Sequence, residues 1–433
     1  MRILFIVTAT LIMLISVNAA RAETIAIVGG TVHTMGKAGT LQDAMVVIED
    51  GQVTSVRRDR NVPDGATVID ADGAVVTPGL FSAVSGLGLV EVNAVSGTVD
   101  GGQAGDQFSA GFEVADAFNP ASSLIAVNRM AGVTRAVIAP FPGWGGSEPV
   151  GRVFSGSAAV VHLGDADDFL VVRKAAMVAY LGEWGSELAG GSRSAALLQL
   201  TQALDDAIDY AQFKDAYNAG ARREYSISMA DLEALQSVVR GETPVYLNVH
   251  RASDIRVALD MADRYGLKLV ITGGAEAWQV ADRLAASNTA VIVSALDNLP
   301  GSFDQLSATM ENARVLVEAG VRIMIADGSS HNARNLTQLA GNAVANGLPW
   351  QEGLAAITTA PAEALGLGDK FGKIAPGMVA DVVVWDGDPL EVTSHPLHVL
   401  IDGVVQPKQS RQTLLRDRYR DLSDDKQPAY RNR

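Results

Sequence analysis

Few residues in this chain are equipped for chemistry. There are six histidines (His33, His162, His250, His331, His395 and His398) and no cysteine. Disulfides, thiolate metal sites and thiol nucleophiles are therefore excluded. His250 closes the apolar run Val245 to Val249 and is followed by Arg251 and Asp254. Two readings of it stand side by side: a proton-transfer group or lone ligand at a strand end, or an imidazole simply held by a hydrogen bond. Asp327 closes Ile323 to Ala326 in the same way, and Glu276 and His331 fall at strand ends or just beyond them. Together His250, Glu276, Asp327 and His331 make a candidate one-metal site of two imidazoles and carboxylates, with zinc as the expected metal and at most one ion. Lys174, in the strand-like stretch Phe169 to Met177, reads as a solvated or ion-paired side chain without a role. His395-Pro396-Leu397-His398 has the spacing of a ligand pair, but the proline makes it a surface loop.

These side chains need elements to hold them. From Glu23 to about Thr77 the sequence reads as short strands, Thr24 to Val28, Ala44 to Glu49 and Gln52 to Arg57, with hairpin signals at Asp50-Gly51 and Asp72-Gly73. The same texture returns in Ala380 to Trp385 and Val399 to Val405, so one sheet module is expected from both ends of the chain. Between them, Thr134 to Ala139, Ala158 to His162, Val245 to His250, Lys268 to Thr272, Ala290 to Ser294 and Arg322 to Asp327 read as strands. Ser253 to Tyr265 and Gln279 to Ala286 read as intervening helices, and Ser186 to Ala219 as barrel-wall or inserted helices. This alternation predicts a parallel sheet closed into a TIM-like (β/α)8 barrel, with active residues at the strand ends. Pro140 to Gly146 and Val95 to Phe108 are expected as loops over the mouth or as long connections.

The predicted division is a leader at 1–22, a composite β-sandwich module at 23–77 and 371–407, a barrel at 78–370 and a charged tail at 408–433, a docked helix that frays. Met1-Arg2, the uncharged run Ile3 to Val17 and Ala20-Arg21-Ala22 have the form of a cleaved export signal. The run is short of the roughly 20 apolar residues that cross a bilayer. A soluble periplasmic or secreted protein is expected, with no membrane contact after cleavage. A lipid anchor is excluded because it needs a cysteine at the cut. The formal net charge of -15 disfavours nucleic acid and anionic membrane surfaces as partners.

Val75-Val76-Thr77-Pro78-Gly79-Leu80-Phe81-Ser82-Ala83 resembles the entry into the barrel in the amidohydrolase superfamily. Thr358 to Gly366, and Gly372-Lys373-Ile374-Ala375-Pro376-Gly377-Met378-Val379-Ala380-Asp381 with the strand after it, resemble that family's return from barrel to sheet module. Through His250 to Ile255, Gly273 to Trp278 and Ser330 to Leu336 the chain is similar to imidazolonepropionase-like and prolidase-like exported amidohydrolases. The resemblance implies a C–N hydrolase with one or two divalent ions at the barrel mouth. The metal would acidify a bound water and a carboxylate would take its proton. The family supplies His-x-His from the first barrel strand, often a carboxylated lysine, one histidine each from strands five and six, and an aspartate from strand eight. Here Val84 and Gly86 stand at the His-x-His positions and Thr272 at the strand-six position, leaving His250 on strand five and Asp327 on strand eight. Three functions remain open. One is an amidohydrolase acting on a cyclic amide, dipeptide-like or related small molecule with a reduced metal site. The second is a non-catalytic barrel that binds a ligand or serves as partner subunit of an intact homologue, with a homo-oligomer as a further option. The third is metal-free acid–base chemistry by His250 and Asp327.

Overall fold

A computed structural model describes residues 24–420 except 104, 106, 107, 146, 147, 166, 167, 297 and 298. The leader at 1–22 and the tail beyond residue 420 lie outside the described residues. Among the described residues no helix is long and apolar enough to cross a membrane.

Eight strands form the barrel sheet in sequential order: Leu80–Ser85, Val133–Ile138, Phe154–His162, Leu170–Tyr180, Val245–Val249, Leu269–Gly273, Ala290–Val293 and Ile323–Ile325. They are counted first to eighth below. Seven run parallel, as the β-α alternation predicts. The third runs antiparallel to both neighbours, with Ala159 opposite Ile138 and Ala158 opposite Ala176, and this corrects the all-parallel expectation. The physical reason lies in the connection to the fourth strand, which spans only residues 163–169. That is too short for a crossover helix and forces a hairpin. The seam between the first and eighth strands is stitched by one segment: Phe81 donates to Ile357 O (2.8 Å) and Ile325 to Ala356 O (3.1 Å). The barrel is thereby nearly closed.

Helices Gly182–Leu188, Arg193–Asn218 and Met229–Val239 connect strands four and five, where the alanine- and leucine-rich stretch is expected to be helical. Helix Ala252–Tyr265 follows strand five. It buries Ile255, Ala258, Leu259 and Ala262 at helical spacing against the sheet and ends at Gly266 in the left-handed region (φ 64°), where glycine carries no Cβ penalty.

The second module is one eight-stranded sheet built from both chain ends. Val75–Pro78 sits between Thr24–His33 and Val382–Trp385. Ile25, Ile27, Val46, Val76, Val382, Val384 and Leu400 form its own core. Asp50-Gly51 makes the predicted hairpin turn, both residues at positive φ (49° and 77°), between Thr40–Glu49 and Gln52–Arg57. Asp72-Gly73 does not make a hairpin. The strands on either side of it, Thr67–Asp70 and Val75–Pro78, both run parallel to Thr24–His33, so the turn is a jog within one direction of travel.

Module and barrel meet across a buried ion pair. Arg135 on the second barrel strand donates to Asp381 through Nε (2.7 Å) and Nη2 (3.1 Å), also bonds Asp402, and lies over the Phe371 ring. Helix Arg411–Tyr419 opens on a Ser410/Thr413 capping box but buries none of its residues, so the expected docking of this helix is not observed.

Candidate functional site

Along a barrel strand every second side chain faces inward. At the C-terminal end of the parallel strands these side chains enclose a cavity of about 300 Å³. Val84 and Gly86 enter it from the first strand and its end, Val178 and Tyr180 from the fourth, and Tyr246, Asn248 and His250 from the fifth. Thr272 enters from the sixth, Ile292 and Ser294 from the seventh, and Asp327 from beyond the eighth. Phe141 closes one side. The loop carrying it is braced by the glycine-rich segment before it: Phe141 N donates to Gly101 O (2.9 Å), and a Cβ on Gly101 would come within 2.2 Å of the Phe141 ring. Both loops expected near the mouth are therefore tied together there.

His250 is half-buried, its ring seated on Gly273, where a Cβ would come within 2.4 Å of Cε1. The Gln305 amide nitrogen lies 3.2 Å from Nδ1. Asp327 is exposed on the cavity rim, and its Oδ1 accepts from Ser329 N (2.9 Å) in a local turn.

The other two members of the expected metal set are not brought to the cavity. Glu276 is buried, and both of its oxygens are committed to backbone: Oε2 accepts from Ala252 N (3.0 Å) and Oε1 from Ser307 N (2.9 Å). It caps the first turn of helix Ala252–Tyr265 and pins the loop after the seventh strand, a structural task rather than ligation. His331 is exposed and outside the cavity lining; its neighbour Ser330 packs against Gly86 instead. Among the described residues no three His, Asp or Glu side chains come together as a metal site. The residues at the mouth do not fit a zinc centre of three or more protein ligands, because the first-strand and sixth-strand positions present aliphatic, absent and hydroxyl side chains.

Three of the four remaining histidines make local contacts. His162, at the opposite end of the barrel because its strand is reversed, bonds Asp168 O through Nε2 and accepts from Gly164 N (3.1 Å). His33 lies tilted against Trp350 (ring centroids 4.6 Å apart, planes at 45°) beside Thr40. His395 bonds Thr393 O (2.9 Å). Lys174 pairs with Glu113 (2.7 Å), half-exposed and away from the cavity.

Sequence reasoning missed Tyr246 and Asn248. Tyr246 is 1% exposed, and among the described residues neither its hydroxyl nor Asn248 Oδ1 has a hydrogen-bond partner. Burial pushes the Tyr246 and Tyr180 phenols above their ordinary range, so both keep their protons. The signal was present: in Val245-Tyr246-Leu247-Asn248-Val249-His250, polar groups alternate with aliphatic ones in a strand buried on both faces.

A barrel with its cavity at the strand C-termini, flanked by a sheet from both chain ends, defines the architecture of the metal-dependent hydrolase type. The amidohydrolase family model matches residues 201–415. An amidohydrolase of Thermotoga maritima of known structure superposes with a TM-score of 0.78 at 26% identity, covering 89% of this chain and 100% of that one. The chain is 25% identical over 395 residues to amidohydrolase tasK of Hapsidospora irregularis, covering 83% of this chain and 39% of that protein. It is 35% identical over 177 residues to an imidazolonepropionase of Paracoccus denitrificans, covering 37% of this chain and 41% of that protein. A prolidase complexed with N-methylphosphonate-L-proline shares the fold at 16% identity and a TM-score of 0.52. The chain belongs to the amidohydrolase superfamily. It spans about two fifths of the length of these two curated relatives.

Proposed function

We propose that the chain is a ligand-binding barrel, periplasmic or secreted, whose mouth cavity takes a small or dipeptide-like molecule without the metal-activated water of its hydrolytic relatives. One observation carries this reading. The cavity wall is intact, but the side chains reaching it at the first-strand and sixth-strand positions are Val84, no side chain at Gly86, and Thr272. The two donors that remain are each engaged locally, His250 by Gln305 and Asp327 by Ser329 N. Losing an imidazole that itself touches a metal weakens binding by more than the roughly 10- to 100-fold lost when a residue that only orients a ligand is changed.

A second reading, hydrolysis of C–N bonds by a reduced site, is favoured by the fact that His250 and Asp327 line one cavity. The deciding experiment is elemental mass spectrometry on the purified chain, combined with identification of small molecules released on denaturation. Binding without metal supports the proposal. Stoichiometric metal, with a C–N hydrolase activity lost on Asp327→Asn, would overturn it in favour of the second reading.

A further inference from the structure

The loop after the seventh strand turns apolar side chains outward at the mouth end of the barrel. Leu296, Leu299, Phe303 and Leu306 are exposed, and Phe303 (79%) and Leu299 (74%) are the most exposed large apolar side chains among the described residues. The loop cannot fold over to hide them, because the residues among them are pinned. Asp304 is buried against Glu183 N and Arg193, Gln305 reaches His250, and Ser307 is held by Glu276 through its N–H and by Trp278 Nε1 through its carbonyl. A single exposed apolar residue is ordinary on a surface, but four within eleven residues of one anchored loop mark a contact surface.

A second uncovered face lies at the opposite end of the barrel. Gln406 accepts from Asp165 N (3.2 Å) in the hairpin beyond His162, away from the mouth, and helix Arg411–Tyr419 begins five residues later. The helix closes its capping box yet buries none of its residues, and Leu414, Leu415 and Tyr419 are exposed. A helix this short is marginal alone in water and draws its stability from packing against something. The mouth loop of the same chain stands at the other end of the barrel, so the two faces cannot cover each other within one copy. Their charges are complementary. Residues 411–420 carry four arginines against one aspartate, in a chain of net charge -15. Beside the mouth loop, Arg193 and Arg251 are engaged by Asp254 and Asp304, whereas Glu187 and Asp327 are exposed.

We infer that the chain forms a two-fold dimer in which helix Arg411–Tyr419 of each copy lies on the mouth loop of the other. A two-fold axis across the barrels sets them side by side and antiparallel, which brings the mouth end of each copy to the far end of the second. Both contacts then close together and none is left to propagate a filament. Leu414, Leu415 and Tyr419 cover Leu299, Phe303 and Leu306, and the arginines around them meet the acidic surface.

Sedimentation velocity of the full purified chain over a range of concentrations is expected to show a dimer that weakens as salt rises. Phe303→Gln removes the centre of the loop face, and the double change Leu414→Gln and Leu415→Gln removes that of the helix. Each is expected to weaken association about 30-fold or more. Near-UV circular dichroism should be unchanged in both, because none of the three side chains is buried within one copy. An equimolar mixture of the two variants unites an intact helix with an intact loop once per dimer, and is expected to recover heterodimer at concentrations where neither variant dimerises alone. A chain that is monomeric at every concentration overturns the inference and leaves both faces to a different protein. A dimer unaffected by either variant overturns it too. So does a mixture without heterodimer, which would set like on like, loop against loop or helix against helix.

Discussion

Exchanging Glu276 for glutamine replaces one acceptor oxygen by a donor in a site where two backbone N–H groups converge. Oε2 takes Ala252 N, the first residue of helix Ala252–Tyr265, and Oε1 takes Ser307 N. Glutamine can satisfy only one of them, so one buried N–H is left facing an amide N–H, at a cost of about 1–3 kcal/mol. Loss of the negative charge at a helix N-terminus adds about 0.5 kcal/mol. A total near 2–3 kcal/mol, set against an unfolding entropy of about 2.1 cal/mol/K per residue over roughly 400 residues, lowers the thermal midpoint by about 2–4 °C. Scanning calorimetry of Glu276→Gln beside the parent chain measures this directly, with metal content determined on both. An unchanged midpoint together with reduced metal content would refute the argument and return Glu276 to a ligating role.

Asp381→Ala leaves the buried Arg135 guanidinium with Asp402 as its remaining carboxylate and is expected to cost about 3–5 kcal/mol, seen as a lowered urea midpoint. The triple change Val84→His, Gly86→His and Thr272→His should create zinc binding that the parent lacks. A Cβ at Gly86 meets nothing closer than 3.5 Å, so the site has room, and equilibrium dialysis with zinc reads the result. Burial lowers the His33 imidazole below its ordinary 6.5, with Asp388 opposing. The unfolded chain then binds the proton more readily, so stability is full above about pH 6.5 and falls as the pH drops below it. His33→Gln should flatten that decline between about pH 7 and pH 5 in urea titrations.

The barrel was legible because its strands are short β-branched runs bounded by turn residues. Gln52 to Arg57 and Ala290 to Val293 fall where their composition puts them. The junction at Pro78-Gly79-Leu80 was legible through its resemblance to the family's entry into the barrel, and the structure adds the reason for its glycine: a Cβ on Gly79 would come within 2.3 Å of Thr134. The reversed third strand was hidden because Ala158 to His162 has the same composition in either direction. Only the shortness of the loop that follows distinguishes the two. Within the site, strand position identified His250 and Asp327 as mouth residues, since both follow directly from where a strand stops. The fate of Glu276 could not be read from position, because it depends on Ala252 and Ser307, remote backbone groups that converge only after folding. Tyr246 and Asn248 escaped because a polar residue in a buried strand looks like a core exception until the cavity beside it is known.

The sheet module joins residues from opposite ends of the chain: Pro78 pairs with Val382 and Val75 with Trp385. During vectorial synthesis the strand Val75–Pro78 emerges long before the strand that completes it, and the whole barrel must be made in between. Its free edge and the apolar faces of Val76 and Ile25 meanwhile have no covering layer from Val382, Val384 or Leu400. Such an edge templates pairing with other chains. Contacts this distant in sequence also form slowly, because the intervening loop must be closed before they stabilise anything. The module is thus the last part of the fold that can close: until Val382–Trp385 emerges, Val75–Pro78 keeps one edge without its partner strand.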